Sequence, residues 1–210
     1  IRRAKRPVFY GGGGLINAQG KYSRLAMQVA EKTYIDFRLQ VTNPGGHSSV
    51  PKDDNAIDRM SEALSRLSAF RFPVQLVDAT RLYFDRMSGV ESGQLAADMK
   101  AILANPPDAQ ALARLSQDPQ INAQLRTTCI TTMIDGGHAP NALPQKVTAT
   151  VNCRVIPGVT LKEVQDTLTK VIADPKVSVA PITHVTESAS VAVQPDFLKA
   201  VERVTASMWP

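Results

Sequence analysis

The chain has 210 residues, of which 43% are apolar and 20% are charged, and these proportions are ordinary for a globular protein. No apolar run approaches the roughly 18–20 residues of a membrane-spanning helix, so the sequence predicts no membrane segment. The net charge of +5 comes mostly from scattered cations, and aromatic residues make up 5% of the chain, which argues against a nucleic-acid surface.

The N-terminal segment, residues 1–31, predicts neither a signal peptide nor a phosphate-binding loop. Residues 1–7 are basic but lead into no apolar core and no cleavage site. The glycines at 11–14 and Gly20 lack the spacing of a phosphate-binding loop, and Tyr22 stands where that motif needs Ser or Thr. Residues 22–29 predict a weak strand. Because no initiator Met is present, we expect the chain to be an interior piece of a longer protein.

Residues 34–42 alternate between apolar and polar side chains, which predicts a half-buried antiparallel strand. A glycine-rich loop over 43–51 follows this strand and carries His47. Asp53 or Asn55 can then cap a helix that should end near residue 70. The predicted sheet-facing stripe of this helix consists of Ile57, Met60, Leu64 and Leu67.

Residues 78–125 show no alternating pattern and predict a helical insertion. The stretches 96–103 and 109–115 have helical composition, and the prolines at 106, 107 and 119 are expected to be breaks. The insertion therefore interrupts a smaller fold.

The remainder of the chain returns to strand and helix patterns. Its segments are a β-type stretch at 127–134, turn-forming residues at 135–144, an alternating strand at 147–155, a helix at 161–172 that begins with a capping box at Thr160 and Glu163, a strand at 176–182 and a helix at 195–208.

Without the insertion, the order between residues 34 and 185 is strand, helix, strand, strand, helix, strand. This order predicts an α+β, ferredoxin-like split βαβ sandwich, in which a four-stranded antiparallel sheet carries two helices on one face. We expect residues 32–190 to form this domain, with the helical insertion at about 78–125. Fold alone says little about chemistry.

The residue types of a self-contained catalytic site are missing. The three histidines are far apart in sequence, and neither a His-x-Asp pair nor an adjacent Glu-Glu pair occurs. No Gly-x-Ser-x-Gly elbow is present, and Cys129 and Cys153 lie in β-type segments as core thiols. The sequence therefore predicts no metal site within the chain. The two cysteines could face each other in a hairpin, but a disulfide would require an oxidising compartment, so the localisation stays open.

Three polar side chains remain at positions that could form a binding site. His47 lies on the glycine-rich loop, Asn141 lies in a later loop, and Arg154 lies on the polar face of the strand that follows. Taken singly, each has an ordinary explanation as a capping side chain, a turn amide or a solvated cation. Together, an imidazole, an amide and a guanidinium can hold an anionic substrate and stabilise an oxyanion.

Three ordered motifs around these residues resemble the lid domain of the aminoacylase/carboxypeptidase family of zinc metallopeptidases. That family includes aminoacylases, glutamate carboxypeptidases and carnosine dipeptidases, and the resemblance spans roughly residues 8–210. The matching residues are Gly45-Gly46-His47-Ser48-Ser49 with Pro51 and Asn55-Ala56-Ile57, then Gly136-Gly137 with Ala139 and Asn141-Ala142-Leu143-Pro144, then Arg154 with Pro157-Gly158.

The resemblance implies a ferredoxin-like lid that is inserted into a zinc-binding catalytic domain and forms a homodimer. It implies that His47 reaches the active site of the partner subunit and stabilises the oxyanion formed when zinc-bound water attacks an amide. It also implies that Arg154 holds the substrate carboxylate and that Asn141 lines the same site. Residues 1–31 would leave the catalytic domain, and the helix within 191–210 would return to it.

The chain departs from this family where the metal is held. The motifs that bind zinc are absent, and Phe9-Tyr10 stand where the family usually supplies an acidic ligand. We therefore expect zinc in the parent enzyme, none bound by this fragment, and no activity of the fragment alone. The leading hypothesis is the lid and dimerisation domain of a zinc-dependent peptidase or amidohydrolase that cleaves peptide or N-acyl amide bonds. The alternative is a stand-alone oligomerisation or small-ligand-binding module without catalytic activity.

Overall fold

The computed structural model describes residues 11–16, 20, 22–189 and 192–208. Within this part, none of the helices is long and apolar enough to cross a membrane. The predicted domain boundaries at residues 31 and 190 stay predictions, and residues 1–10 lie outside the described part.

In chain order the elements are β1 (Gly11–Ile16), β2 (Tyr22–Gln28), β3 (Thr33–Thr42), β4 (Gly46–His47), α1 (Ala56–Ala69), α2 (Asp78–Ser88), α3 (Gly93–Ala101), α4 (Ala109–Leu115), α5 (Pro119–Leu125), β5 (Thr128–Gly136), β6 (Ala142–Leu143), β7 (Lys146–Val155), α6 (Leu161–Ile172), β8 (Val177–Pro181) and α7 (Pro195–Met208).

Four strands form the central antiparallel sheet, in the spatial order β5-β7-β3-β8. Strands β3 and β7 pair along their full length, from Thr33 opposite Val155 to Thr42 opposite Lys146. The apolar residues of both strands enter one core together with residues of α1 and α6, whereas their polar neighbours lie on the open face of the sheet. The ferredoxin-like order predicted from the sequence is therefore confirmed.

The two helices on the sheet begin at side-chain caps. Asn55 caps α1 by accepting a hydrogen bond from the backbone N–H of Ile57 at 2.9 Å. At α6, Thr160 and Glu163 form the predicted capping box, with the backbone N–H of Thr160 donating to the Glu163 carboxylate at 2.7 Å.

The buried stripe of α1 differs from the predicted one. Met60 and Leu67 are buried as expected, but Leu64 is only partly buried and Ile57 is 43% exposed. The other buried positions of the helix are the small residues Ala56 and Ala63, which let the helix lie close to the sheet. Ile57 therefore lies on the flank of the helix and not in the core.

The helical insertion contains four helices, α2 to α5, around a core of its own. The sequence patterns missed α2, and Pro119, predicted to be a break, is instead the first residue of α5. Proline is tolerated there because its missing N–H would be unpaired in any helix, and Asp118 accepts hydrogen bonds from the next two N–H groups. The core residues are Phe84, Met87, Met99, Ile102, Ala111, Leu115 and Leu125.

A disulfide ties the edge strand β5 to β7. Cys129 lies directly opposite Cys153 in the strand register, with the two Cα atoms 4.1 Å apart and the sulfur atoms bonded. The pairing that the sequence left open is therefore present in the structure.

Candidate functional site

A small ribbon extends the fold beyond one end of the central sheet. It consists of the loops 43–51 and 141–145, in which β4 pairs with β6 and places His47 opposite Ala142. The backbone N–H of Ser48 donates to the carbonyl of Asn141 at 2.9 Å, and that of Asn43 donates to the carbonyl of Gln145 at 2.9 Å. The ribbon therefore brings two of the predicted site residues, His47 and Asn141, onto adjacent backbone.

Glycine is required where the ribbon turns. Gly45 has a φ of +76°, and a Cβ atom there would lie 2.9 Å from the Gln145 side chain and 3.0 Å from the Leu143 carbonyl oxygen. The N–H of Gly45 donates to the Asn43 side chain at 2.8 Å, and its carbonyl accepts from the Lys52 ammonium at 2.8 Å. The loop is thus held in one path by contacts on both sides of the glycine.

The His47 imidazole is exposed and has a different neighbour at each ring nitrogen. Nδ1 lies 2.8 Å from the Ser49 hydroxyl oxygen and 3.2 Å from the backbone nitrogen of Ser49. Nε2 lies 3.3 Å from the side-chain amide of Asn141. An imidazole held in this way at the rim of the domain can reach a group that belongs to another chain.

An ion-pair network anchors the ribbon to the rest of the domain. Arg59 of α1 bridges Asp54 at 2.6 Å and Asp174 at 2.7 Å, and Lys176 contacts Asp54 at 2.8 Å. The hydrogen bonds from Lys176 and then Arg59 lower the pKa of Asp54 to about 2. Because the Asp54 carbonyl also accepts from the Asn43 side chain, the network fixes the end of the loop that carries His47.

Arg154 lies near the other end of the sheet. It pairs with Tyr34 on one side and with Thr128 on the other, and its guanidinium carbon lies 4.7 Å from the centre of the Tyr34 ring. The Tyr34 hydroxyl donates to the Asp36 carboxylate, which also accepts from Asn152 at 2.7 Å. The exposed guanidinium is thus supported on the open face of the sheet.

The structure does not bring Arg154 together with His47 and Asn141 in one chain. The ribbon begins beyond Lys146, and Arg154 lies eight residues further along the same strand. At about 3.3 Å per residue, this spacing corresponds to roughly 26 Å. A single copy therefore presents two half-sites at opposite ends of its sheet.

Lys32 lies near Arg154, at the end of the sheet that we call the arginine end. The sequence patterns did not indicate Lys32 as a site residue. Its ammonium donates to the Arg126 carbonyl. Burial, and then the nearby charge of Arg154, lower the pKa of Lys32 from 10.5 to about 8. A desolvated cation beside a guanidinium favours the approach of an anion.

An apolar cavity of about 840 Å³ also borders the arginine end. It lies between β2, α2 and α7, and Lys32 is on its wall. Its size falls within the range of small-molecule pockets. Its apolar walls include Leu25, Met27, Tyr83, Met87, Leu198 and Val201.

The edge strand β5 carries a second feature that the sequence analysis missed. Three large apolar side chains on it are mostly exposed: Ile130 at 65%, Met133 at 67% and Ile134 at 61%. The exposed Ile57 lies on α1, which packs beside β5. We call these four residues the apolar edge. An exposed edge strand with such side chains is a template for pairing with another chain.

No metal site is formed by the described residues. Within residues 11–16, 20, 22–189 and 192–208, no three His, Cys, Asp or Glu side chains lie close enough to hold a metal ion.

Comparisons with known proteins identify the family of the chain. The sequence profile of a family described as the peptidase dimerisation domain matches residues 29–180. The chain is 32% identical over 164 residues to "Probable carboxypeptidase S-like 2" of Dictyostelium discoideum, covering 78% of this chain and 31% of that protein. It is 30% identical over 151 residues to "N-fatty-acyl-amino acid synthase/hydrolase PM20D1" of Homo sapiens, covering 71% of this chain and 30% of that protein.

The chain spans about a third of the length of these curated relatives. Among solved structures, aminopeptidase PepT from Bacillus cereus ATCC 10987 aligns with a TM-score of 0.48 and 12% sequence identity. That alignment covers 86% of this chain and 36% of PepT.

Proposed function

Because the chain belongs to the peptidase dimerisation domain family of the M20 peptidases, we propose that it joins two subunits of a longer hydrolase and lends polar groups to their active sites. The observation that carries this proposal is the separation of the half-sites. His47 and Asn141 lie at one end of the sheet, and Arg154 lies at the other. One copy cannot present all three to one substrate, but two copies can.

A twofold dimer formed through β5 would bring the half-sites together. Two copies of β5 that pair in an antiparallel manner place the Thr128 end of one strand beside the Gly136 end of the other. Thr128 is next to Arg154, and Gly136 leads into the ribbon. Measured across the strands, Arg154 of one subunit would then lie about three strand spacings, or roughly 15 Å, from the strand end that leads into the ribbon of the partner subunit, which carries its His47.

The apolar edge supports this mode of association. Pairing through β5 would satisfy its unpaired backbone groups and would cover Ile130, Met133 and Ile134. In the same dimer the flanks of the two α1 helices would approach each other, which gives the exposed Ile57 a partner surface. The disulfide between β5 and β7 would keep this edge attached to the rest of the sheet.

The chemistry of the two half-sites suits hydrolysis of an amide that lies close to a free carboxylate. The guanidinium of Arg154 can hold the carboxylate through two parallel hydrogen bonds, and Lys32 adds positive charge beside it. The imidazole of His47 can donate an N–H to the oxyanion that forms when water attacks the amide carbonyl. Asn141 adds a second polar group at the same place.

M20 peptidases are metallopeptidases, and the described residues of this chain do not form a metal site. We therefore place the metal in the remainder of the parent protein, where it would activate the attacking water. The contribution of this chain is to orient the substrate, to donate a hydrogen bond and to complete each site with residues from both subunits.

Charging the apolar edge tests this function. In a longer protein that contains this chain, Met133→Lys should convert the dimer into monomers and abolish hydrolysis, as measured by analytical ultracentrifugation and turnover. The matched control is Ile182→Lys, because Ile182 is 39% exposed and lies beside the opposite edge strand β8. A Met133→Lys protein that stays dimeric and active would overturn the proposed interface.

Two substrate classes fit the arrangement, because peptides and N-acyl amino acids both carry a free carboxylate near an amide. The names of the relatives include both a carboxypeptidase and an N-fatty-acyl-amino acid hydrolase. The apolar cavity beside Lys32 supports the second class, since a long acyl chain needs apolar walls. A rise of kcat/KM with acyl length in the parent protein would support this choice, and a preference for polar peptides would contradict it.

A further inference from the structure

We propose that Ser49 is a positioning residue that directs the single proton of the neutral His47 ring to Nε2. The catalytic consequence rests on the proposed function, whereas the protonation pattern itself does not. The inference comes from the contacts at Nδ1, where both the backbone N–H and the hydroxyl of Ser49 approach the ring.

The backbone N–H of Ser49 decides which ring nitrogen carries the proton. A backbone N–H can only donate, so the nitrogen that faces it at 3.2 Å must offer a lone pair. A proton on Nδ1 would place two donors against each other. In the neutral ring the remaining proton is therefore on Nε2, and the Ser49 hydroxyl can donate a second hydrogen bond to Nδ1 over 2.8 Å.

The local backbone keeps this contact in place. The N–H of Val50 donates to the carbonyl of His47 at 3.0 Å and closes a tight turn over residues 47–50. The turn places the Ser49 N–H beside the imidazole ring of His47. The Ser48 N–H, in contrast, is directed to the Asn141 carbonyl at 2.9 Å and supports the ribbon.

In the structure the side-chain nitrogen of Asn141, Nδ2, lies 3.3 Å from Nε2 of His47. The oxygen and nitrogen of a side-chain amide are assigned from their hydrogen-bond partners. A neutral imidazole cannot accept at both ring nitrogens, and a backbone N–H cannot be reversed whereas a side-chain amide can. With the proton on Nε2, the Asn141 amide is therefore turned by 180° from this assignment, so that Oδ1 is the acceptor. Because both side chains are exposed, a substrate oxyanion can replace this acceptor without any movement of the imidazole.

Nitrogen NMR on the 210-residue chain tests the protonation pattern directly. With ¹⁵N-labelled histidine at about pH 8.5, above the ordinary titration range of imidazole, long-range ¹H–¹⁵N spectra separate a protonated from an unprotonated ring nitrogen. We expect His47 to show an unprotonated Nδ1 and a protonated Nε2. The exposed His184 serves as a reference and should show more averaged positions. A protonated Nδ1 in His47, or averaging equal to that of His184, would overturn the proposal.

Variants of the loop separate the hydroxyl from the backbone contact. Ser49→Ala keeps the N–H and removes the hydroxyl, so the His47 signals should move part of the way toward the averaged positions. Ser49→Thr should restore them, and Ser48→Ala should leave them unchanged. Signals that do not respond to Ser49→Ala would show that the hydroxyl has no part in holding the ring.

In the parent protein, Ser49→Ala should lower kcat roughly fivefold, the effect of one neutral hydrogen bond, without raising KM. Ser49→Thr should recover the lost rate, which a general defect of folding would not allow. If His47→Ala leaves kcat unchanged, the proposed function fails, while the NMR result on the ring still decides the role of Ser49.

Discussion

The two ends of the central sheet hold their half-sites by different means. At the ribbon end, loops cross and fix each other through backbone hydrogen bonds, a glycine turn and the ion pairs of Asp54. At the arginine end, Arg154 is placed by strand register and supported by the Tyr34 ring. If the proposed roles hold, the group that donates to a transient charge is held by many local contacts, whereas the group that binds a stable anion has only an aromatic support and a desolvated neighbour.

Removing the ribbon half-site should have the largest effect on catalysis. In the parent protein, His47→Ala should lower kcat by about 100- to 1,000-fold, the usual effect of losing one oxyanion donor. KM should change little, because the imidazole acts on charge that develops during the reaction. Steady-state kinetics measure this, with Ser48→Ala as the control on the same loop. An equal rise in KM would place His47 in substrate binding instead.

Removing the arginine half-site should act on binding. Arg154→Ala should raise KM roughly 10- to 100-fold, which corresponds to the 1.5–3 kcal/mol of a charge-assisted hydrogen bond. A substrate whose carboxylate is replaced by a carboxamide should lose this sensitivity. If the variant affects both substrates equally, Arg154 does not contact the carboxylate.

Gly45, within the ribbon, and Gly137, which precedes its second loop, should differ in their tolerance of a side chain. Gly45→Ala combines a positive φ with contacts at 2.9 and 3.0 Å, and should cost about 2–3 kcal/mol of folding free energy. Gly137→Ala also has a positive φ, but no atom lies within 4 Å of its Cβ, so its cost should be about 1 kcal/mol. Urea unfolding of the two variants measures the difference. Equal costs would show that the ribbon relaxes around Gly45.

The two ends should also respond to pH in different ranges. Burial lowers the pKa of Lys32 from 10.5 to about 8, so between these values the unfolded chain binds a proton that the folded chain has released. The free energy of unfolding should therefore rise with pH in this range, because of a group at the arginine end. At the ribbon end, the pKa of Asp54 is lowered from 3.8 to about 2, so its contribution is present above the higher value and is lost as the pH falls toward the lower one.

Thermal melts across both ranges check these signs. Lys32→Met should remove the rise between pH 8 and 10.5 and leave the acid range unchanged. Asp54→Asn should weaken the acid dependence alone. The same alkaline rise in wild type and in Lys32→Met would contradict the assignment to Lys32.

Much of this architecture could be predicted because β3 and β7 have one buried face. Their alternating side chains show which face of each strand meets the core, and the capping residues fix the starts of α1 and α6. The stripe of α1 was wrong at Ile57 because helical spacing alone does not show which flank meets the sheet and which stays exposed. The helix α2 was missed because it packs in the separate core of the insertion, where periodicity is weak.

The site was only partly predictable. The sequence singled out His47, Asn141 and Arg154, but it gave no distances between them. The extended strand between Asn141 and Arg154 already implied that the two lie far apart, since a strand rises about 3.3 Å per residue. Lys32 could not be found in this way, because its perturbation comes from tertiary burial beside Arg154.

Mixing two impaired variants of the parent protein, assayed at a substrate concentration well below KM, tests the central claim most directly. Subunits with His47→Ala are combined with subunits with Arg154→Ala, unfolded and refolded together, and assayed for hydrolysis. If each site takes Arg154 from one subunit and His47 from the other, every mixed dimer contains one intact site. Random assembly then restores about a quarter of the wild-type activity. If the two residues of one subunit serve the same site, no mixed dimer has an intact site, and the activity stays at the level of the separate variants.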